Sequence, residues 1–254
     1  MLKNPDMIKY HIVIPARYAS SRFPGKPLID INGKTMLEHV YDVAKKSSAS
    51  SIVIATDHQR IADAAQSFCA DVLMTSDQHQ SGTDRLAEVC QIKQWGEDEI
   101  VVNLQGDEPL TPPELLNQVA ENIHSHIAAS IATLTTPLQD QHEIDDPNIV
   151  KVVSDINGYA LYFSRASIPF QRDAGEMTLN NQYQRHLGIY AYRVAFLNAY
   201  SQMPQCDLET VEKLEQLRAM YHGHKIHTQH AVKLPGPGID TPDDLKKVHT
   251  LLAQ

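Results

Sequence analysis

The stretch "KYHIVIPARYASSRFPGKP", residues 9–27, decides the fold of this chain. Residues 9–16 form an apolar run rich in isoleucine and valine, which is typical of a buried β-strand. The rest is a polar loop that carries three cations, Arg17, Arg22 and Lys26. In open parallel sheets, ligands bind beyond the carboxyl ends of the strands, so this loop is a candidate binding site.

Strands and helices alternate beyond this first unit. Strand-like runs at residues 51–57, 71–75 and 99–109 precede segments with helical spacing of apolar residues at 58–68, 83–95 and 112–123. The first loop leads into another such segment at 35–47, for which Thr35 is the expected N-cap. This alternation predicts an α/β, Rossmann-like fold with a mostly parallel central sheet and helices on both faces.

The pattern changes near Asp140. Strand-like runs at residues 149–155, 159–165 and 185–194 are separated only by turns or by a polar loop. We interpret them as an insertion or mixed-sheet extension. One helix is predicted over residues 208–223, and residues near one of its faces are Leu208, Val211, Leu214, Leu217 and Arg218. A terminal helix follows a Gly/Pro turn after residue 234.

Composition narrows the possible functions. The chain has 254 residues, of which 42% are hydrophobic, enough to bury a large core. No signal peptide and no apolar run of about 18 residues is present, so we expect a cytoplasmic protein without a membrane partner. The three cysteines are widely spaced, which favours a reducing compartment over a disulfide framework or zinc site. A net charge of -9 argues against nucleic-acid binding.

The basic loop of an acidic chain indicates an anionic ligand. Guanidinium and ammonium groups neutralise phosphate oxygens, and Gly25 beside Lys26 lets a ligand approach the backbone. The loop has neither the Walker A spacing nor the G-x-G-x-x-G fingerprint. A solvated basic loop is the alternative. Three prolines, at positions 15, 24 and 27, stiffen the segment and favour the binding interpretation.

Two aspartates are candidate ligands for a divalent cation. Asp107 follows a predicted strand in "NLQGDEP", and Asp240 follows the Gly/Pro turn in "GPGIDTP". Each has a plain alternative: Asp107 as a helix cap, and Asp240 or Thr241 as the cap of the last helix. If the fold brings the two together, they would form a Mg²⁺ site, because magnesium typically takes one or two carboxylates plus substrate phosphates.

Several motifs together carry a resemblance to a known family. They are "IPARYASSRFPGKPL", "ATDH", "HQSGTDRLAE", "VVNLQGDEP", "YALYFSRASIP", "RHLGIYAY", "EKLEQLR" and "GIDTPDDL". From about residue 10 to 248 the chain resembles the 3-deoxy-D-manno-octulosonate (Kdo) cytidylyltransferases. The resemblance implies a Mg²⁺-dependent cytosolic homodimer that transfers CMP from CTP to the anomeric 2-hydroxyl of Kdo, with release of pyrophosphate, for lipopolysaccharide biosynthesis.

The resemblance also implies roles on the nucleotide side. Arg17 and Lys26, with Arg22, would hold the triphosphate and stabilise charge on the α-phosphate and the leaving pyrophosphate. The nucleotide pocket would be lined by a further set, Gln80, Ser81 and Arg85. The alternative for this set is an N-capped helix, because Thr83 is also a good cap.

The resemblance also implies the residues that bind the metal and the sugar. Asp107 and Asp240 match the metal ligands. The ion would bridge the Kdo carboxylate and 2-hydroxyl and lower the hydroxyl's pKa, so that no protein base is assigned. The sugar-side positions are Gln105, Arg165, His186, Tyr190, Glu215 and Gln216. Arg165 would pair with the sugar carboxylate. Tyr190 has an ordinary half-buried strand as its alternative, and Glu215 and Gln216 have a solvated helix face.

These roles divide the chain, taken as one domain over residues 1–254. Its parts are a nucleotide-binding part at about 10–139, a sugar-binding and dimerisation part at about 140–230, and a segment, 231–254, that returns to the metal site. Two alternative functions stay open: the same reaction on the 8-amino analogue of Kdo or another acidic sugar, and an inactive nucleotide-binding homologue. The presence of Arg17, Lys26, Asp107 and Asp240 together argues against an inactive protein.

Overall fold

A computed structural model describes residues 8–18, 23, 25–79, 81–138, 140–172, 183–239 and 241–252 of the chain. The strands are β1 (Tyr10–Ala16), β2 (Asp30–Ile31), β3 (Lys34–Thr35), β4 (Ser51–Thr56), β5 (Asp71–Met74), β6 (Ile100–Asn103), β7 (Ile131–Pro137), β8 (Lys151–Ser154), β9 (Ala160–Ser164), β10 (Gln184–Arg193) and β11 (Ile226–His230). The helices are α1 (Met36–Lys45), α2 (Gln59–Ser67), α3 (Gly82–Lys93), α4 (Pro113–Ser125), α5 (Gln141–Asp145), α6 (Val194–Tyr200), α7 (Asp207–Glu212), α8 (Gln216–Tyr221) and α9 (Pro242–Leu251). In the described residues, no helix has the length and apolar character needed to cross a membrane.

The main sheet has nine strands, and its central path runs in the order β11-β7-β10-β6-β1-β4-β5. Strands β6, β1, β4 and β5 are parallel neighbours, and β11 is parallel to β7. Strand β10 runs antiparallel to both β6 and β7, while β8 pairs with β10 and β9. The predicted α/β architecture with a mostly parallel sheet is confirmed, and β2 and β3 form a separate hairpin.

One strand of the predicted extension belongs to the centre of the sheet. Strands β8 and β9 do extend it, but β10 lies between β6 and β7. Of its ten residues, five are buried and one is exposed. Tyr190 pairs with Asn103 of β6 on one side and with Thr133 of β7 on the other. The two parts of the chain that we distinguished in the sequence therefore share one continuous sheet.

The sheet is covered on both faces, as its alternating side chains require. In β1, Ile12 and Ile14 pack into the layer formed with α1, α2 and α4, whereas Val13 packs into the opposite layer with α3 and α6. All three are 0% exposed. Burial of each such side chain contributes roughly 1.5–3 kcal/mol. This core fixes the strand ends from which the polar loops emerge.

The prediction of one helix over residues 208–223 is wrong. The segment forms two short helices, α7 and α8, separated by Lys213 in the left-handed conformation (φ 55°). The Glu212 carbonyl accepts a hydrogen bond from Arg165 Nε at 2.7 Å, so it is drawn out of the helical ladder. Glu212 Oε1 also accepts from the Ser164 hydroxyl at 2.6 Å. Val211, expected on a buried face, is 81% exposed.

Candidate active site

Polar side chains collect at the carboxyl ends of three neighbouring strands. Arg17 follows β1, Asp57 follows β4, and Gln105 and Asp107 follow β6. Since β6, β1 and β4 are parallel and adjacent, these residues emerge at the same edge of the sheet. The expected position of the site after the first strand is therefore consistent with the structure.

Lys26 and Asp107 form an ion pair at this edge, with Lys26 Nζ 2.7 Å from Asp107 Oδ2. The lysine side chain is 9% exposed and the carboxylate 39%. Gly25, with φ 72°, donates its backbone N–H to the Tyr18 carbonyl at 3.0 Å and so turns the chain into the short 3₁₀ helix that begins at Lys26. The ion pair thus joins Lys26, which is predicted to bind the triphosphate, to Asp107, which is predicted to bind the metal.

Asp107 is not a helix cap, because α4 begins six positions later with Pro112 as its N-cap. Gly106, just before it, lies against β1: a Cβ atom there would be 3.0 Å from the Pro15 carbonyl oxygen. Glycine therefore permits the close approach of the β6 loop to β1. That approach brings Asp107 next to the basic loop.

Three predicted residues, Arg22, Gln80 and Asp240, lie outside the described residues. The cap of α9 is Thr241, whose hydroxyl accepts from the Asp244 backbone N–H while the Asp244 carboxylate accepts from Thr241. Ile239 donates its N–H to the Asp107 carbonyl at 3.0 Å. The segment before α9 thus packs on the β6 loop, and a metal shared by Asp107 and Asp240 stays a prediction.

A cavity of about 300 Å³ lies beside this edge. Its lining includes four of the six predicted sugar-side residues, Gln105, Tyr190, Glu215 and Gln216. The other lining residues are Gly82, Thr83, Asn103, Glu108, Ile131, Gly188, Tyr192, Phe196, Tyr200, Lys213 and Leu214. Residues from β6, β10, α3 and the α7–α8 break thus share one concave surface of a size suited to a small polar ligand.

Charged groups give the cavity a mixed electrostatic character. Glu215 has solvent access, yet the protein atoms packed around it displace bulk water and raise the pKa of its carboxyl. The Thr83 hydroxyl donates to Glu215 Oε2 at 3.2 Å and opposes this shift. Burial, followed by the charge of Arg85, lowers the pKa of the Arg17 guanidinium, while Asp57 and Glu215 act in the other direction.

Two buried polar atoms in the lining have no hydrogen-bond partner among the described residues. They are Asn103 Oδ1 and Gln216 Nε2, in side chains of residues 3% and 7% exposed. Buried polar atoms of this kind are normally paired, so the cavity offers one acceptor and one donor to a ligand. Sequence reasoning missed Asn103, although it lies two residues before Gln105 at the same strand end.

Sequence reasoning also missed Lys213, which lines the cavity from the break between α7 and α8. The motif "EKLEQLR" contains Lys213, but the surrounding residues are good helix formers and do not predict the break that turns it toward the cavity. The sequence predicts a strand at Tyr192, in agreement with β10, but indicates no role for it at the site. Burial raises the pKa of its hydroxyl, and hydrogen bonds with Thr83 and Asn103 oppose that shift.

His186 lies behind the cavity wall rather than in it. Its ring is 5.2 Å from that of Tyr190, and its Nε2 is 3.0 Å from Thr133 Oγ1. The Thr133 hydroxyl has one proton and lies 2.8 Å from the Ile189 carbonyl and 3.0 Å from the Leu187 carbonyl. It therefore donates to a carbonyl and accepts from His186 Nε2–H, which leaves Nδ1 as the acceptor. Burial, aided by Arg185, lowers the pKa of His186 to about 3.

The same threonine stabilises an irregularity in β10. The pairing of β10 with β7 shifts register between Leu187 and Tyr190. The Thr133 hydroxyl lies within hydrogen-bond distance of two carbonyls of this bulge, those of Leu187 and Ile189, and donates its one proton there. Bulges commonly redirect side chains next to binding sites, and here Gly188 and Tyr190 both reach the cavity.

Arg165, Ser81 and Arg85 have structural partners. Arg165 donates to the Glu212 carbonyl and, at 2.9 Å, to the Pro147 carbonyl. Ser81 caps α3, accepting from the Asp84 backbone at 3.1 Å, so Thr83 is not the cap. Arg85 is 0% exposed, with Nη2 2.5 Å from Asp57 Oδ2. Contact of these three with a ligand stays a prediction.

The donor set at the strand edge fits a hard divalent cation. No cluster of three or more histidine, cysteine, aspartate or glutamate side chains suited to a metal occurs within the described part of the chain. Magnesium does not require one, because it is usually held by one or two carboxylates together with substrate phosphates and water. The half-exposed carboxylate of Asp107, beside a basic loop, matches that requirement.

Comparison with known proteins gives consistent results. The cytidylyltransferase family model matches residues 11–226. The chain is 53% identical over 251 residues to the 3-deoxy-manno-octulosonate cytidylyltransferase of Psychromonas ingrahamii, covering 95% of this chain and 98% of that protein. It is 51% identical over 249 residues to the Vibrio vulnificus protein of the same name, covering 97% and 99%.

Solved structures agree with these relatives. The structure of CMP:2-keto-3-deoxy-manno-octonic acid synthetase complexed with CTP has a TM-score of 0.89 and 44% identity, covering 97% of this chain and 99% of that one. A 4-diphosphocytidyl-2C-methyl-D-erythritol synthase, at 16% identity and a TM-score of 0.64, shares the fold, covering 96% and 98%.

Proposed function

The chain belongs to the 3-deoxy-manno-octulosonate cytidylyltransferase family, and from this premise we propose that it transfers CMP from CTP to the anomeric 2-hydroxyl of Kdo. The observation that carries the proposal is that the Lys26–Asp107 ion pair lies beside the polar cavity. Gln105 and Glu108, on either side of Asp107 along the chain, both line that cavity. The edge that would bind phosphate is therefore adjacent to the cavity that would bind the sugar.

The chemical step joins two anionic substrates. The 2-hydroxyl oxygen of Kdo forms a bond to the α-phosphorus as the bond to the bridging oxygen breaks, and pyrophosphate leaves with that electron pair. The hydroxyl proton passes to water, since no protein base is assigned. Arg17 and Lys26 bind phosphate oxygens and stabilise the charge that develops on them. For this, Lys26 exchanges its contact with Asp107 for one with the triphosphate.

The proposal includes a magnesium ion. Asp107 would hold it, together with Asp240. When bound, the ion supplies positive charge that acidifies the attacking hydroxyl and neutralises phosphate oxygens. The exposed fraction of Asp107 and its position beside the basic loop support this assignment.

The sugar would be oriented by the cavity lining. Gln216 Nε2 can donate a hydrogen bond to one sugar hydroxyl, and Asn103 Oδ1 can accept a hydrogen bond from another. Glu215 and Tyr190 add further polar contacts. Arg165 would pair with the sugar carboxylate. Contact of His186 with a sugar hydroxyl stays a prediction, because its ring lies behind the cavity wall.

The biological setting is part of the same proposal. We propose that the protein acts in the cytoplasm as a homodimer and supplies an activated sugar for lipopolysaccharide biosynthesis. Family membership supports this setting. The acidic net charge of -9 fits small-molecule substrates rather than nucleic acid.

A pyrophosphate-release assay tests the proposed function. The protein is incubated with CTP, Mg²⁺ and one of three acidic sugars: Kdo, its 8-amino analogue or a sialic acid. We expect turnover with Kdo to exceed that with the others. The Asp107→Asn variant should keep its circular dichroism spectrum but lose most turnover. No pyrophosphate release with Kdo, or full activity of Asp107→Asn at ordinary Mg²⁺, would refute the proposal.

A further inference from the structure

We infer that the buried ion pair between Glu209 and Arg218 is a positioning device for the sugar side of the cavity. Arg165 draws the Glu212 carbonyl out of the helix, and the ion pair sets the orientation of α8 relative to α7 across that break. Through α8 it positions the side chains of Glu215 and Gln216. This inference rests on the proposed function, since it assigns these residues to sugar binding. The sequence predicts no binding role for Glu209 or for Arg218, although Arg218 ends the motif "EKLEQLR".

The pair has the geometry of a rigid clamp. Arg218 Nε lies 2.7 Å from Glu209 Oε2, and Arg218 Nη2 lies 2.5 Å from Glu209 Oε1. The two side chains are only 6% and 8% exposed. A two-point contact between a planar guanidinium and a carboxylate fixes orientation as well as distance. It therefore holds α7 and α8 in one relative arrangement.

Apolar packing anchors the clamped segment at Leu214 and Leu217, which are 6% and 0% exposed, whereas its polar side chains face cavities. Residues 213–216 line the active-site cavity. A second cavity of about 280 Å³ shares Lys213 and Glu215 with the first and is also lined by Glu209 and Arg218. Helix α8 has no side-chain cap. The orientation of the Glu215 and Gln216 side chains therefore depends on directional contacts as well as on these apolar anchors.

Tyr200 extends the clamp toward the cavity. The Arg218 guanidinium lies 4.6 Å from the centre of the Tyr200 ring. The Tyr200 hydroxyl in turn donates to the Glu215 backbone carbonyl at 3.3 Å. A chain of contacts thus runs from Glu209 through Arg218 and Tyr200 to the backbone of Glu215.

The chemical nature of the pair favours positioning over stability. A buried ion pair often adds no net stability relative to apolar side chains of similar volume, because both charges lose their hydration. Its distinctive property is geometric, and binding residues must be held within about 0.5 Å of their productive positions. The ion pair adjoins a segment that borders two cavities. Apolar side chains of similar volume would fill the space but would not fix the orientation of α8 relative to α7.

The test measures KM for each substrate separately. Three variants are compared with wild type in the pyrophosphate-release assay: Arg218→Lys, Glu209→Gln and the double variant. We expect each single change to raise the KM for Kdo about ten- to a hundredfold, with the KM for CTP within about twofold of wild type. The double variant should resemble the singles rather than multiply their effects, because the pair acts as a unit.

Matched controls separate positioning from loss of stability. Ile123 is 0% exposed in α4, and its carbonyl accepts from Arg193 at the opposite end of the sheet. Ile123→Val and Ile123→Ala should lower the thermal midpoint over a comparable range and leave both KM values unchanged. If Arg218→Lys fails to fold, the milder Glu209→Gln decides alone.

Each result is decisive. A rise in the KM for Kdo alone supports the inference. An unchanged KM for Kdo, or a parallel rise for both substrates, overturns it, even if stability falls. Absence of turnover by the wild-type protein would instead contradict the proposed function, and the two failures are therefore distinguishable.

Discussion

Protonation of His186 should be a measurable source of acid instability. The ring is buried, and its Nε2–H is committed to Thr133, so the folded protein keeps the imidazole neutral down to a pKa of about 3. In the unfolded chain the same ring has its ordinary pKa of about 6.5. As the pH falls below 6.5, the unfolded state therefore binds a proton that the folded state does not, and stability decreases.

The magnitude follows from these two pKa values. Between pH 7 and pH 5, proton uptake by an unfolded histidine of pKa about 6.5 favours unfolding by about 2 kcal/mol. The folded state, with its pKa of about 3, takes up almost no proton in this range and offsets nothing. His186→Gln retains a donor for Thr133 but cannot titrate. Between pH 7 and pH 5, the free energy of unfolding of His186→Gln should therefore fall by about 2 kcal/mol less than that of the wild-type protein.

Guanidinium chloride unfolding at pH 7 and pH 5 measures this difference. His224 and His227, whose pKa values are also lowered by burial, are present in both proteins and cancel in the comparison. If His186→Gln loses as much stability as wild type between the two pH values, the assignment of a neutral buried imidazole is wrong.

Three further substitutions test individual contacts. Lys26→Ala should raise the KM for CTP at least about tenfold, with a smaller effect on Kdo; equal effects would move Lys26 out of the triphosphate site. Arg165→Ala should do the reverse, raising the KM for Kdo about tenfold, and a parallel rise for CTP would contradict its role. Asn103→Ala should raise the KM for Kdo about three- to tenfold, and an unchanged value would show that its free oxygen is not used. Steady-state kinetics with each substrate varied separately measures all three.

Much of the active-site edge follows from the sequence because the relevant signals are local. The buried run of β1, the basic loop and the "NLQGDEP" turn each occupy a short contiguous stretch. The rule that parallel strands end at one edge then brings Arg17 near the turn after β6 without any knowledge of packing. The resemblance to a family added the sugar-side residues, and four of them do share a cavity.

The remaining features depend on partners far away in the sequence. The break after Glu212 arises because Arg165, 47 positions earlier, bonds to its carbonyl, while the local residues favour a continuous helix. The central position of β10 depends on pairing with β6 and β7, and alternation within one strand does not reveal its neighbours. The orientation of His186 likewise depends on Thr133, from another strand.

The placement of β10 constrains how the chain can be divided and how it folds. Within the described residues, β7 pairs only with β10 and β11, so its hydrogen-bonding edges remain open until residues 184–230 have been synthesised. A fragment that ends near residue 140 would expose both edges of β7 and the edge of β6 that β10 covers, and it is expected to aggregate rather than fold. Closure of the sheet is a late event of high contact order, and folding during translation should wait for it.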